Sequence, residues 1–246
     1  MQHPRYPRSN RYDPAWVHAH QMGPNALWLL ESLTERLPIE AGQRVLDLGC
    51  GQALTSIMLA KEFGASVWAC DLWIDPSDNA RRIEEAGVSD RVFPVKGEAH
   101  ALPFARGFFD RIVSIDAYHY FGTDDLYIGT ISQLLRPGGK IGIVSPSFSG
   151  DAGAVPEELR PYWEWEFCSF HGAAWWRAHW AKTGHVRVEH ADEVPDGASD
   201  WLRWFEYSLP SLVDESRREA YAREIELLRR DAGRSLGFAR VVAQRR

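Results

Sequence analysis

Long apolar runs are missing from this 246-residue chain. No stretch approaches the roughly 20 residues that a membrane-spanning helix requires, so a soluble protein without a membrane partner is expected. Cysteine is scarce as well. Cys50, Cys70 and Cys168 are odd in number and show no CxxC spacing. That argues against a disulfide framework or a zinc site and makes the cytoplasm the expected compartment. Excess positive charge is also absent, with 28 basic against 34 acidic side chains and a formal net charge of −6. Attraction to phosphate needs a clustered surplus of Lys and Arg, so no nucleic-acid partner is expected. The first 22 residues carry Arg, His and Pro where a secretory signal would carry an apolar core. Internal repeats and low-complexity tracts are lacking too.

What the chain has in abundance is tryptophan, eleven in all, most of them beyond residue 160. Such rings fill a bulky core or line an aromatic pocket, and composition does not choose between the two. The remaining balance, 45% hydrophobic and 25% charged, suits one large α/β domain.

Residues 1–22 show no periodicity and read as an extended arm. Gly23-Pro24 opens a helix whose stripe of Ala26, Leu30, Leu33 and Leu37 ends at Pro38. From Arg44 to Ser145 short strands alternate with helices. The strands are Val45–Leu48, Ser66–Asp71, Arg91–Val95, Arg111–Ile115 and Lys140–Val144. The helices lie near Ala53–Phe63, Pro76–Ala86 and Asp124–Leu135. This alternation predicts a parallel sheet with helices on both faces. Residues 147–184 are expected to be aromatic and largely helical. A strand at Val186–His190, helices at Trp201–Tyr207 and Asp214–Asp231, and a strand at Phe238–Ala243 follow. On that helix, Glu219–Arg223 and Glu226–Arg230 read as a solvated face.

The most informative stretch is Val45-Leu46-Asp47-Leu48-Gly49-Cys50-Gly51. A strand runs into a turn with two glycines one residue apart, and a helix opens just beyond. Glycine adopts positive φ freely and lets a ligand approach where a Cβ would stand. Strand, Gly-x-Gly and helix make the nucleotide-binding layout at the carboxyl end of a parallel sheet. Three acids reinforce it. Asp47 sits inside the first strand end, where an unpaired carboxylate is costly. Asp71 closes the second strand 24 residues on, where an acid accepts hydrogen bonds from ribose hydroxyls. Glu98 follows the third strand, in Gly97-Glu98-Ala99-His100.

Together these residues resemble the class I S-adenosylmethionine-dependent methyltransferases, in their small-molecule, methyltransferase-domain group. Phe109-Asp110-Arg111-Ile112-Val113 resembles the start of that family's fourth strand, and Leu135-Arg136-Pro137-Gly138-Gly139-Lys140 the turn into its fifth. The resemblance covers residues 44–145. It implies a Rossmann-like, doubly wound, seven-stranded, mostly parallel sheet carrying a helical, aromatic-rich insertion. The whole chain would be one domain. Residues 1–40 form an arm and lid helix, 41–146 the cofactor core, and 147–246 the acceptor-recognition insertion and closing strands. The implied cofactor is S-adenosylmethionine. Asp47, Gly49, Cys50 and Gly51 would hold its methionine side, Asp71 and Leu72 its ribose region, Glu98 and Ala99 its adenine, and Asp116 the region beside the methyl. The family's third glycine is Ala53 here, small enough to keep the close packing. A nicotinamide dehydrogenase would need a glycine at the position of Leu54.

Methyl transfer from a sulfonium demands alignment and exclusion of water, and a base only where the acceptor must lose a proton. His119 is the candidate general base, with Tyr120 beside it; the alternative is that both shape the pocket wall. Tyr12 and Trp16 are candidates to join the lid. The aromatic stretch 162–180 would recognise the acceptor or fill a cap core. His171, His179, Glu164 and Glu166 suggest a metal only weakly, since no Cys partner or i,i+4 His pair supports one, so no metal is expected. The expected partner is a small molecule with an N, O or C nucleophile. The rivals are methylation of RNA or protein, a binding protein without catalysis, and a lipid-modifying relative on the same domain.

Overall fold

Short apolar runs set the sheet, and polar caps set the helices that cover it. The computed structural model describes residues 1–149 and 155–246. Its strands are β1 (Arg44–Leu48), β2 (Ser66–Asp71), β3 (Val92–Lys96), β4 (Phe109–Ile115), β5 (Leu135–Phe148), β6 (Val186–Glu193) and β7 (Leu236–Arg245). They form one seven-stranded sheet in the order β3-β2-β1-β4-β5-β7-β6. The first five run parallel, whereas β7 runs antiparallel to both β5 and β6. The order reverses between β1 and β4, so the crevice beyond the carboxyl end of β1 is the ligand position of a doubly wound sheet.

Helices α1 (Pro14–His20) and α2 (Ala26–Thr34) precede the sheet. α3 (Leu54–Phe63), α4 (Pro76–Glu85) and α5 (Tyr127–Ile131) connect the parallel strands, α6 (Ala173–Ala181) leads into β6, and α7 (Gly197–Ser208) and α8 (Glu215–Asp231) join β6 to β7. One face of the sheet packs on α2, α3, α7 and α8, the other on α5 and α6. Trp176, Trp180, Trp201 and Trp204 are all buried in these layers, so much of the tryptophan surplus is core.

The structure departs from the periodicity in four places. The arm is not extended. His3, Tyr6, Ser9, Val17 and Gln21 are buried, and Glu31 of α2 pins the arm by accepting from the backbone N–H groups of Arg8 and Ser9 at 2.9 and 2.8 Å. Asp13 caps α1 through the Ala15 N–H with Pro14 at the first helical position, a seven-residue helix too short to show a period. Gly23-Pro24 lies ahead of α2, whose cap is Asn25. The helix expected over Asp124–Leu135 keeps only α5 and a 3-10 turn, because Leu135 is already in the sheet opposite Phe109. Within 147–184, α6 is the one α-helix among the described residues. Arg160–Tyr162 and Trp165–Ser169 are 3-10 turns, with Pro156 and Pro161 interrupting any longer helix. That segment's residues 150–154 lie outside the described residues.

Candidate cofactor and active site

β1 ends in a turn that two parallel strands hold from behind. The backbone N–H groups of Gly49 and Cys50 both donate to the Cys70 carbonyl of β2, at 2.8 and 3.2 Å. Gly49 and Gly51 sit at φ +74° and +51°, the left-handed region that glycine enters without penalty. A Cβ on Gly49 would collide with that of Ala117, and one on Gly51 would lie 2.9 Å from the Met22 sulfur. Ala53 also stands at φ +63°, immediately before α3. A glycine there therefore answers a backbone demand as well as the packing one read from sequence.

Asp71 fastens the second side of the turn. Its Oδ2 accepts from Gly51 N–H at 2.8 Å, and its Oδ1 from Trp73 and Ile74 N–H at 2.8 and 3.0 Å. Three of its four lone-pair positions are thus occupied, leaving one on Oδ2. Asp47 behaves differently. It is fully buried, its Oδ2 accepts from the Thr55 and Ser56 hydroxyls at 2.6 Å each, and it does not line the cavity beside the turn. Burial pushes its carboxyl up to about 6 against the pull of those hydroxyls. The structure gives Asp47 the task of anchoring the first turn of α3.

A cavity of about 460 Å³ opens along the carboxyl edge of the sheet. Gly49, Cys50 and Gly51 line it, as do Asp71, Leu72, Glu98 and Ala99. Glu98 is exposed and turned onto its own loop, accepting from His100 N–H and meeting His100 Nδ1 at 2.9 Å each. The bond from the His100 side chain is the main reason its carboxyl lies below the usual range. Asp116 and Tyr120 line it too, with Gln21, Met22 and Gly23 of the arm; a Cβ on Gly23 would lie 2.8 Å from Asp116 Oδ2. Asp116 is held at φ +54°, a conformation costly for a residue with a side chain. Burial, with the Glu166 charge second, raises its carboxyl to about 8. The arm residues Gln21 and Met22 were missed in the sequence, where the lid was read from the leading helix with Tyr12 and Trp16 as candidates to join it.

His119 is not on this wall. It is buried, its Nδ1 lies 3.2 Å from the Ser145 hydroxyl, and burial pushes its imidazole down to about 3. A ring so weakly basic and so enclosed stays neutral at physiological pH. Tyr120, half-exposed and set edge-on to Trp73 at 5.6 Å, is the member of the pair that faces the cavity. Tyr12 and Trp16 stack on each other at 6.0 Å and do not line the cavity.

Residues 45–139 match the model of a methyltransferase-domain family. That stretch is similar to the class I S-adenosylmethionine-dependent methyltransferases. Methyltransferase GfsG of Streptomyces halstedii is 35% identical over 116 residues, 47% of this chain and 42% of that protein. The chain spans about two fifths of the length of the curated relatives it matches. Its fold is that of geranyl diphosphate C-methyltransferase from Streptomyces coelicolor A3(2), with a TM-score of 0.68 at 19% identity over 88% of this chain and 76% of that one. It is likewise that of Haemonchus contortus phosphoethanolamine N-methyltransferase 2, with a TM-score of 0.76 at 19% identity over 100% of this chain and 60% of that one.

The family's cofactor is S-adenosylmethionine. The cavity of this chain fits it on its own geometry. The Gly51 amide plane is open where a side chain would meet Met22, Asp71 keeps one acceptor position at the cavity, and the Asp116 carboxylate meets no hydrogen-bond donor among the described residues. No described helix is long and apolar enough to cross a membrane.

Proposed function

We propose that this chain transfers the methyl group of S-adenosylmethionine to a small-molecule nucleophile seated beside Asp116 and Tyr120. The observation that carries the proposal is one continuous cavity joining the glycine turn, Asp71, the Glu98 loop and Asp116. When bound, the cofactor supplies a methyl group already activated by its sulfonium charge. Gly49, Cys50 and Gly51 hold its amino-acid side through backbone, and Asp71 accepts a ribose hydroxyl at its remaining position. Leu72 packs beside the sugar and base, and the Ala99 backbone with Glu98, once released from His100, meets the adenine. Asp47 acts from behind by fixing α3. Tyr120 orients the acceptor, and His119 supports it from the core at 4.1 Å between ring centroids. The arm residues Gln21, Met22 and Gly23 exclude water, which an in-line displacement requires.

Relatives named for small acceptors, including 27-O-demethylrifamycin SV methyltransferase of Amycolatopsis mediterranei, support a small molecule over RNA or protein. The acidic balance and three free cysteines fit work in the cytoplasm without a nucleic-acid partner. Calorimetry with S-adenosylhomocysteine tests the reading. Saturable heat at one site per chain is expected; no heat at any workable concentration refutes it.

A further inference from the structure

Met22 and Gly23 of the arm lie across the switch point of the sheet. A Cβ on Gly51 would lie 2.9 Å from the Met22 sulfur, and one on Gly23 2.8 Å from Asp116 Oδ2. Gly51 follows β1 and Asp116 follows β4, the neighbouring strands between which the order reverses. Met22-Gly23 therefore bridges two strand ends whose residues line the same cavity.

Gln21 precedes this bridge and is 2% exposed. Its side-chain oxygen accepts from the Trp204 indole N–H of α7, and its carbonyl accepts from the Arg217 guanidinium of α8 at 3.3 Å. An indole N–H only donates, which fixes the amide orientation and turns the Gln21 amide nitrogen to His18 Nδ1, 3.1 Å away. Trp204 is held in turn. It is 1% exposed, edge-on to Trp28 of α2 at 5.6 Å and stacked on Tyr207 at 5.6 Å. Neither Trp204 nor Arg217 lines the cavity.

We propose that Trp204 and Arg217 are positioning residues of the cofactor site. By holding Gln21 they keep Met22-Gly23 across the cavity, and so set how long S-adenosylmethionine or its demethylated product stays bound. This rests on the methyl-transfer reading and adds control from helices outside residues 45–139. The stretch concerned lies between two anchored points. Glu31 holds the backbone of Arg8 and Ser9, and Asn25 caps α2 by accepting from the N–H groups of Leu27 and Trp28 at 3.1 and 3.2 Å. Lifting the bridge between them strips a buried Gln21 of its partners, which favours the closed position by the worth of those hydrogen bonds.

The test follows S-adenosylhomocysteine onto and off the immobilised full chain by surface plasmon resonance. Trp204→Phe and Arg217→Met should each speed dissociation roughly threefold to tenfold, with association unchanged or faster. Trp180→Phe alters an equally buried ring in the layer of α5 and α6 and should leave both rates at their wild-type values. A general loss of stability would reach that variant as well. Arg217 is exposed, so its variant stays informative should Trp204→Phe fail to fold. Dissociation unmoved by Arg217→Met overturns the inference, as does a Trp180→Phe effect as large as that of Trp204→Phe. Failure of the wild type to bind S-adenosylhomocysteine defeats the methyl-transfer reading itself.

Discussion

Gly49→Ala tests the geometry of the turn more directly than any loss of a polar group. Two costs are readable in the structure. At φ +74° an alanine pays about 1–2 kcal/mol for its Cβ against its own backbone. That Cβ also falls inside the contact distance of Ala117 Cβ. Neither carbon can rotate away, because each is fixed to main chain at the sheet edge, so overpacking adds about 1–3 kcal/mol. The sum, about 2–5 kcal/mol, is a large share of the ~5–15 kcal/mol that stabilises a typical domain. Urea unfolding of wild type, Gly49→Ala, Ala117→Gly and the double variant closes a cycle. The double variant should recover the overlap cost and keep the dihedral cost, giving a favourable coupling of about 1–3 kcal/mol. A single variant within about 0.5 kcal/mol of wild type, or a cycle with no coupling, refutes this account of the turn.

Ala53→Gly should raise stability by roughly 1 kcal/mol, since φ +63° before α3 suits glycine better; an unchanged or lowered urea midpoint contradicts it. Asp71→Ala strips the acceptor from three backbone N–H groups and should lower S-adenosylhomocysteine affinity at least about tenfold by calorimetry; unchanged affinity removes Asp71 from the site. Asp116 and Glu224, each raised to about 8, contribute stability that is whole below their ordinary carboxylate range and is lost as pH climbs toward 8. The ligand-free protein should therefore melt lower at pH ~8.5 than at pH ~6, with the slope shallower in Asp116→Asn and Glu224→Gln; identical slopes in all three proteins count against that placement.

Most of the parallel half of the sheet was legible because β1 to β4 are short apolar runs, whereas β5 extends beyond the Lys140–Val144 run at both ends, to Leu135 and Phe148. Ser66–Asp71 is bounded in the structure as the sequence suggested. The glycine turn was legible because positive φ leaves its mark in composition. Side-chain direction was not. Asp47 lies one residue before the end of β1 and Asp71 closes β2, yet one turns inward to Thr55 and Ser56 while the other turns to the cavity-side loop. His119 and Tyr120 are neighbours in sequence, and only the fold decides that the imidazole goes to Ser145 and the phenol to the cavity. Glu224 lies in a segment that reads as a charged, solvated helix, and nothing local announces that burial raises its carboxyl to about 8. The arm escaped notice because its order comes from a distant carboxylate, Glu31, accepting from its backbone.

The place of β7 has a consequence for how the molecule acquires its shape. Among the described residues β6 pairs with the sheet through β7, which is inserted between it and β5. Until residues 236–245 arrive, β5 presents an open edge and β6 has no strand to pair with, so the antiparallel half of the sheet waits on the last strand of the chain. A nascent chain lacking that stretch would hold the β1–β4 crevice beside an unpaired, adhesive β5 border, a state exposed to wrong pairing.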